Sequence, residues 1–418
     1  MNRTIAPKFS QAKSLNLIFP HKIECSNGVE IYWIKDVKDQ SVKLDVEWNA
    51  GTKFQNKKLV AGFTNKLLLA GTHSKSANKI AEEVDYFGGY THQEVDKDHA
   101  AVTLFGLSNN IHNIFELFVD AFSNADFPEK ELEKERRVSA SKFKIDIEKG
   151  KVLCRREFNK NLYGENTSYG QLADYEDFAQ LSRVDLLDFY KEYYLTKPVI
   201  FLTGNVDDQF IELLKGWAES FTLDPKANFE QNFIQSTGRI NIKKEGAIQT
   251  AIRVGRLMFD KNHQDYYQFQ ILNTILGGYF GSRLMTNIRE DKGYTYGIGS
   301  GMSVLQDAAY FFITTEVGKD VKEQTIVEIN NELNRLVDEL ITNEELTRVK
   351  NYMLGDFLRE ADGPSSQMEI FKNIYFNELP LDYYQSFIKT VHLATPQSLK
   401  QIAKRYFDKS KMLEVVVG

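Results

Sequence analysis

The stretch LVAGFTNKLLLAGT (residues 59–72) is mostly apolar and is expected to form a buried helix, yet three of its residues suit such a helix poorly. Gly62, Asn65 and Lys66 follow the spacing i, i+3 and i+4, so they share one face of the helix. Packing in a core does not explain a helix face that carries a glycine, an amide and an ammonium, so we look for a functional explanation.

The chain repeats one arrangement of elements at an offset of about 210 residues. In residues 44–72 and again in 252–280, a strand leads through a polar loop into an apolar helix. In residues 181–204 and 394–418, a helix that opens near Ser or Thr is followed by a β-rich strand that ends on Gly. Two matching pairs in register predict a duplicated unit, too long for a solenoid repeat.

Composition and charge narrow the class of protein. A chain of 418 residues is longer than one hydrophobic core usually supports, which favours two domains. Its 42% hydrophobic and 26% charged residues are typical of globular chains. A net charge of −6 without a long basic run argues against a nucleic-acid partner. Cys25 and Cys154 form neither a disulfide framework nor a metal motif. The first 22 residues lack the apolar core of a signal peptide, so we expect no membrane span and a cytoplasmic location.

The local patterns predict an α+β fold. Residues 29–35 and 41–50 are expected to form a strand pair across the turn DVKDQ, and residues 99–107 alternate as a half-buried strand. Residues 76–88 and 111–124 have helical spacing. Antiparallel strand pairs beside helices favour two units, each a mainly antiparallel sheet packed with helices. We predict an N-terminal unit at 1–224, a polar linker at about 225–236 and a C-terminal unit at 237–418.

Six blocks in a consistent order carry a resemblance to a known family. They are NGVEIYWIKD (27–36), GFTNKLLLAGT (62–72), EEVDYFGGYTHQEVDKDHAAVTLFGL (82–107), NLYGENTSYGQ (161–171), FLTGNVD (201–207) and SRLMTNIREDKGYTYGIGSG (282–301). Together they resemble the pitrilysin/insulinase family of zinc peptidases, which includes the mitochondrial processing peptidases and the respiratory core proteins. The resemblance runs almost from end to end and implies repeated α+β units arranged as a half-shell.

The resemblance also says what the unusual helix face replaces. Active members carry H-x-x-E-H on a helix, in which two His ligands bind zinc and the Glu activates water. Aligned on Gly71-Thr72, these three positions fall on Gly62, Asn65 and Lys66. A second Glu ligand, about 76 residues after the second His in the family, falls on Lys142. No residue at the four positions suits zinc, so we predict no metal in this chain.

The seven histidines do not build a substitute site. None occurs in an H-x-x-H, H-x-x-x-H or H-x-x-E-H pattern. His92 and His99 flank the segment VDKD and could approach one another, but ordinary surface or strand positions explain the histidines better.

A second functional pair is retained. Family members use an Arg and a Tyr, seven residues apart in the C-terminal unit, to bind the substrate backbone, and the matching residues are Arg289 and Tyr296. An Arg fork donates to carbonyl oxygens and a Tyr hydroxyl can donate to a developing oxyanion. The alternatives are a structural corner in which Tyr294 and Tyr296 only pack, or Arg283 as the substrate-binding arginine.

Loss of the metal with retention of this pair predicts a non-catalytic subunit that is inactive alone. The resemblance implies a heterodimer in which a homologous H-x-x-E-H subunit holds the zinc and cleaves peptides. The alternative is a structural or peptide-holding protein, like the respiratory core proteins, without a proteolytic partner.

Overall fold

The computed structural model describes residues 17–226 and 231–418, which form two compact units. The N-terminal unit spans Ile18–Ser236 and also includes Leu305–Asp307, whereas Thr237–Val304 and Ala308–Gly418 belong to the C-terminal unit. Both units combine a sheet with packed helices, which confirms the predicted α+β class. The predicted linker includes residues 227–230, which lie outside the described residues, as does most of the N-terminal segment considered for a signal peptide.

The N-terminal unit contains a six-stranded sheet with the order β1-β2-β6-β3-β5-β4. All neighbours are antiparallel except β2 and β6, which run parallel. The strands are β1 His21–Glu24, β2 Glu30–Ile34, β3 Ser41–Trp48, β4 Tyr90–Val95, β5 Ala100–Leu107 and β6 Val199–Thr203.

The C-terminal unit contains a five-stranded sheet with the order β7-β11-β8-β10-β9. The pair β7–β11 is parallel and the other neighbours are antiparallel, so the arrangement from β2 to β4 in the first sheet recurs here without an equivalent of β1. The strands are β7 Gly238–Ile242, β8 Gln249–Met258, β9 Thr295–Val304, β10 Ala309–Gly318 and β11 Leu413–Val417.

One predicted strand pairing is wrong. β2 and β3 are both strands, but β6 lies between them, parallel to β2 and antiparallel to β3. The turn DVKDQ therefore connects strands that are not neighbours. The reason is that β6, whose residues are almost all buried, satisfies the backbone groups of both strands from the centre of the sheet.

Fourteen α-helices cover these sheets in the described part of the chain. The helices of the N-terminal unit are α1 Val60–Leu67, α2 Ala77–Tyr86, α3 Ile111–Ser123, α4 Glu129–Ile147, α5 Gly150–Tyr163, α6 Asp177–Gln180, α7 Arg183–Phe189 and α8 Asp208–Ala218. Those of the C-terminal unit are α9 Tyr266–Asn273, α10 Lys322–Asp338, α11 Asn343–Glu360, α12 Pro364–Phe376, α13 Tyr383–Leu393 and α14 Pro396–Tyr406. None of these helices combines the length and the hydropathy needed to cross a bilayer.

Equivalent caps begin the repeated helices α7 and α14. Ser182 accepts a hydrogen bond from the backbone of Asp185, and the Asp185 side chain accepts one in return from the Ser182 backbone. Thr395 and Ser398 form the same reciprocal capping box at α14. Such caps satisfy backbone donors that a helix leaves without partners, which explains why both helices start where the Ser and Thr signals predicted.

A buried polar cluster joins Leu305–Asp307, the turn between β9 and β10, to the rest of its unit. The ammonium of Lys53, which is fully buried, lies 3.1 Å from an Asp307 carboxylate oxygen and 3.4 Å from one of Asp98. The Tyr169 hydroxyl donates to Asp98, and burial together with that carboxylate raises the pKa of the tyrosine. Lys53 therefore lies within ion-pair distance of both carboxylates.

We predict that Lys53→Met lowers the free energy of unfolding of the N-terminal unit by about 3–5 kcal/mol, because it removes the buried cation that contacts both Asp98 and Asp307. All three tryptophans, Trp33, Trp48 and Trp217, lie in this unit, so their fluorescence during urea unfolding reports on it directly. Lys58→Met is the control, since the Lys58–Asp177 pair is partly exposed and should contribute about 1 kcal/mol or less. Equal losses in the two variants would contradict a structural role for the cluster.

Candidate functional site

The three unusual residues of α1 have three different environments. Gly62 is half-buried, and a Cβ placed there would meet open space, so packing does not demand glycine. Asn65 is 2% exposed, and its side-chain amide donates to the carbonyl of Ala101 on β5 at 3.2 Å. Lys66 is exposed. The helix face therefore runs from the sheet, where Asn65 is held, to the solvent, where Lys66 lies.

Lys66 has a specific partner on α4. Its ammonium donates to the carboxylate of Glu135, whose side chain is largely buried, and the Ser139 hydroxyl donates to the same carboxylate oxygen. An ion pair thus occupies the space between α1 and α4. The sequence did not single out Glu135; the signal was its position seven residues before Lys142, two turns along the same helix face.

Lys142 does not take part in this pair. Its side chain is exposed on α4, and it acts electrostatically on Asp146, one turn further along the helix. The structure thus joins Lys66 of α1 to Glu135 of α4 and leaves Lys142 outside this ion pair.

These residues do not fit a zinc ion. Gly62 has no ligand atom, the Asn65 amide is engaged with a backbone carbonyl, and Lys66 presents a cation that would repel a metal. Across residues 17–226 and 231–418, no group of three or more His, Cys, Asp or Glu side chains is placed to hold a metal ion. The residues at this position therefore offer no ligand set for zinc.

The second candidate site lies at the corner that leads into β9. A π-helical turn, Met285–Asp291, ends here, and Gly293 takes a φ of +66°, which glycine adopts without strain. The Tyr294 amide donates to the Ile288 carbonyl at 3.0 Å, which closes the corner. The Thr295 hydroxyl donates to the Glu316 carbonyl at 2.7 Å and so anchors the first residue of the strand.

Arg289 and Tyr296 project from the two sides of this corner. The Arg289 guanidinium lies 4.6 Å from the ring centre of Phe280, a cation–π contact. Phe280 is 63% exposed and Tyr296 is 94% exposed, so both aromatic rings face solvent. Within the described chain, neither the Arg289 guanidinium nor the Tyr296 hydroxyl donates a hydrogen bond to another residue. Phe280 was not predicted, and its only sequence signal was an aromatic between glycines in GGYFG.

Arg283, the alternative arginine, is engaged elsewhere. Its Nε and Nη2 each donate to a carboxylate oxygen of Glu345 at 2.8 Å, and its side chain is only 11% exposed. Such a bidentate pair orients the guanidinium toward α11. Arg283 therefore joins two elements of the C-terminal unit, and Arg289 is the arginine that remains available to a ligand.

Two family models match most of the chain, and both describe one peptidase family. Residues 31–169 match Insulinase (Peptidase family M16), and residues 180–353 match the Peptidase M16 inactive domain. The chain belongs to the insulinase family of peptidases. The predicted resemblance is confirmed, and this insulinase-family chain carries the peptidase fold in both of its units.

Relatives and solved structures agree with this membership. An uncharacterized zinc protease of Bacillus subtilis (strain 168) is 27% identical over 348 residues, which cover 82% of this chain and 85% of that protein. The crystal structure of a peptidase M16 inactive domain from Pseudomonas fluorescens has a TM-score of 0.87 at 23% identity and covers 97% of this chain and 98% of its own. A chain of complex III2 from Candida albicans has a TM-score of 0.74 at 14% identity, with 95% of each chain covered.

We predict that the purified chain, dialysed against a mild chelator, retains less than about 0.1 zinc per chain, because its ligand positions offer no suitable donors. Elemental analysis by mass spectrometry measures the ratio. A relative with an intact H-x-x-E-H motif, prepared in the same way, serves as the control and should retain about one zinc per chain. A ratio near one for this insulinase-family chain would overturn the assignment of Gly62, Asn65 and Lys66.

Proposed function

We propose that this chain is the zinc-free subunit of a two-subunit peptidase and that it supplies Arg289 and Tyr296 to a peptide held by an H-x-x-E-H partner. The partner would hold the zinc, and both subunits would share one compartment, which we take to be the cytoplasm. The substrates in this proposal are peptides or unfolded segments in an extended conformation.

The exposure of the Arg289–Tyr296 corner is the observation that carries the proposal. A structural tyrosine usually packs its ring or pairs its hydroxyl, as Tyr190 does when it donates to the Phe122 carbonyl at 2.8 Å. Tyr296, at 94% exposed, does neither within the described residues. Tyr296 thus lies exposed in the same block as Arg289, whose guanidinium contacts a second exposed ring, and aromatic and arginine side chains are enriched at binding surfaces.

The strand that bears Tyr296 supports binding of an extended peptide. β9 lies at the edge of its sheet and pairs with β10 alone among the described strands. A free edge can accept an added strand through main-chain hydrogen bonds. In such a complex, the five donors of Arg289 suit peptide carbonyl oxygens, and the Tyr296 hydroxyl can donate to the carbonyl oxygen that gains charge during hydrolysis.

A second function, peptide holding without cleavage, is favoured by a different observation. Beside Lys66, a cavity of about 200 Å³ lies between α1, α2, α3 and the edge strand β4. Its walls are mainly aliphatic side chains, including Leu69, Ile80 and Val84. An apolar pocket next to a free strand edge suits one side chain of an extended peptide, and this arrangement needs no metal.

We predict that co-expression with an H-x-x-E-H relative from the same genome gives a 1:1 complex. A stable interface of this kind buries on the order of 1,600 Å² or more, enough for an assembly that survives size-exclusion chromatography. Light scattering on the eluted peak measures the mass. Separate elution of the two chains at micromolar concentration would remove the heterodimer proposal and leave peptide holding.

We predict that Tyr296→Phe lowers kcat of the assembled complex by about 10- to 100-fold. Loss of one oxyanion donor typically lowers kcat by a factor on the order of 10²–10³, and the effect should be smaller here because a metal in the partner would also stabilise the oxyanion. Arg289→Ala should also raise KM, since its donors would hold the peptide in the ground state as well. Steady-state cleavage of a fluorogenic peptide measures both constants.

The matched controls are Tyr294→Phe, two residues earlier and partly packed on the core, and Arg348→Ala, whose exposed side chain pairs with Glu344. Both should leave kcat and KM unchanged in a complex of normal mass. Full activity of the Arg289→Ala/Tyr296→Phe double variant in a correctly assembled complex would show that the corner is structural.

A further inference from the structure

A second cavity lies in the C-terminal unit. None of its lining residues belongs to the corner that carries Arg289 and Tyr296. It has a volume of about 390 Å³ and is bounded by α9, α11, α12 and α13. This size is typical of pockets that enclose one small molecule or one or two amino-acid residues.

One lysine supplies the positive charge of this cavity. The Lys261 ammonium donates to the side-chain carbonyl of Asn373, and the Asn373 amide in turn donates to the Tyr384 hydroxyl at 2.7 Å. In the described part of the chain, no carboxylate lies within ion-pair distance of Lys261. The ammonium thus has a neutral hydrogen-bond partner and, among the described residues, no direct ion pair.

A lysine in this position favours an anion. Withdrawal of an ammonium from water is costly unless an opposite charge compensates it, and here burial lowers the pKa of Lys261 to about 8. Most of the lysine is still charged at neutral pH, and a bound anion would stabilise that charged form.

The rest of the cavity is aromatic. Phe357 and Tyr384 stack with their ring centres 4.9 Å apart and their planes at 11°, and Tyr383 lies against Tyr384 at 5.2 Å. The six aromatic residues in the lining are Tyr266, Tyr352, Phe357, Tyr383, Tyr384 and Phe387. Rings of this kind bury the apolar body of a ligand and give it a preferred orientation.

Two carboxylates limit the charge of the ligand. Asp356 and Glu360 also line the cavity, and burial raises the pKa of Glu360. A doubly charged phosphate would be repelled by these groups and would meet only one cationic side chain, whereas a single carboxylate needs only Lys261.

We propose that this cavity binds a ligand that joins one carboxylate to an aromatic or aliphatic body, with the carboxylate at Lys261 and the body between the aromatic rings. Two sources share this chemistry: the C-terminal residue of a peptide, and a free apolar amino acid whose amine would face Asp356 and Glu360. The site is separate from Arg289 and Tyr296, so it stands or falls independently of the proposed peptidase partnership.

The experiment compares three probes on the full wild-type chain by isothermal titration calorimetry and ligand-observed NMR. N-acetyl-phenylalanine represents a peptide C-terminus, phenylalanine represents the free amino acid, and N-acetyl-phenylalaninamide lacks the carboxylate. At least one of the two carboxylate probes, N-acetyl-phenylalanine or phenylalanine, should bind at least about tenfold more tightly than N-acetyl-phenylalaninamide, because only a carboxylate probe can accept a charge-assisted hydrogen bond from Lys261. The tighter carboxylate identifies the source. This comparison uses no variant and therefore does not depend on the folding of one.

The variant arm assigns the binding to Lys261. Lys261→Met should weaken the carboxylate probes at least about tenfold and leave the amide unchanged, whereas Lys389→Met, at an exposed lysine of α13 outside the lining, should change neither. Equal affinity for acid and amide, no binding of any probe at millimolar concentration, or equal effects of the two lysine variants would each overturn the proposal.

Discussion

The ion pair between Lys66 and Glu135 limits what the N-terminal unit can do. It holds an ammonium at the position where active members of the family present a metal ligand, and a carboxylate of α4 is already committed to it. The pair is partly exposed and should contribute about 1 kcal/mol or less to stability, so packing does not depend on it. The pair acts electrostatically. The Lys66 ammonium occupies the space of a ligand, and because Glu135 already balances its charge, the pair has no net negative charge to attract a divalent metal ion.

The second candidate site lies in the C-terminal unit. At the corner before β9, Tyr296 and Phe280 are exposed and the half-buried Arg289 contacts the Phe280 ring, while the neighbouring Arg283 is held by Glu345. One arginine is structural and the other is available, although both lie in one 20-residue block. In our proposal, a chain with this corner and with a cation at the metal-ligand position acts on a peptide together with another subunit.

Local patterns predicted much of the fold for physical reasons. The amphipathic spacing of α2 and α3, the alternation of β5 and the capping signals of α7 and α14 are all encoded within a few residues. The position of β6 between β2 and β3 was missed, because that pairing joins residues about 170 positions apart and leaves no periodic trace in the sequence. The same strand order recurs in the second sheet, with β11 between β7 and β8. The duplication in the sequence therefore applies to this long-range pairing as well.

The candidate sites divide in the same way. Gly62, Asn65, Lys66, Arg289 and Tyr296 could be named because each interrupts or completes a motif. The partners that define their chemistry could not: Glu135 reaches Lys66 from another helix, Ala101 holds Asn65 from a strand, and Phe280 supports Arg289 across a turn. Likewise, Asn373, the hydrogen-bond partner of Lys261, lies on α12, more than 100 residues later in the chain. Contacts of this kind depend on tertiary packing, which residue spacing alone does not specify.

The most direct test of the central claim asks whether residue 296 touches substrate in the assembled complex. Tyr296 would be replaced by the photo-crosslinking residue p-benzoylphenylalanine, and the complex would be formed with a partner whose H-x-x-E-H glutamate is changed to glutamine, so that the peptide binds without being cleaved. Illumination should crosslink residue 296 to the peptide next to its scissile bond, and only when the partner is present. The same probe at position 294 should give little crosslinked peptide. No crosslink from position 296, or equal crosslinking from both positions, would contradict the account.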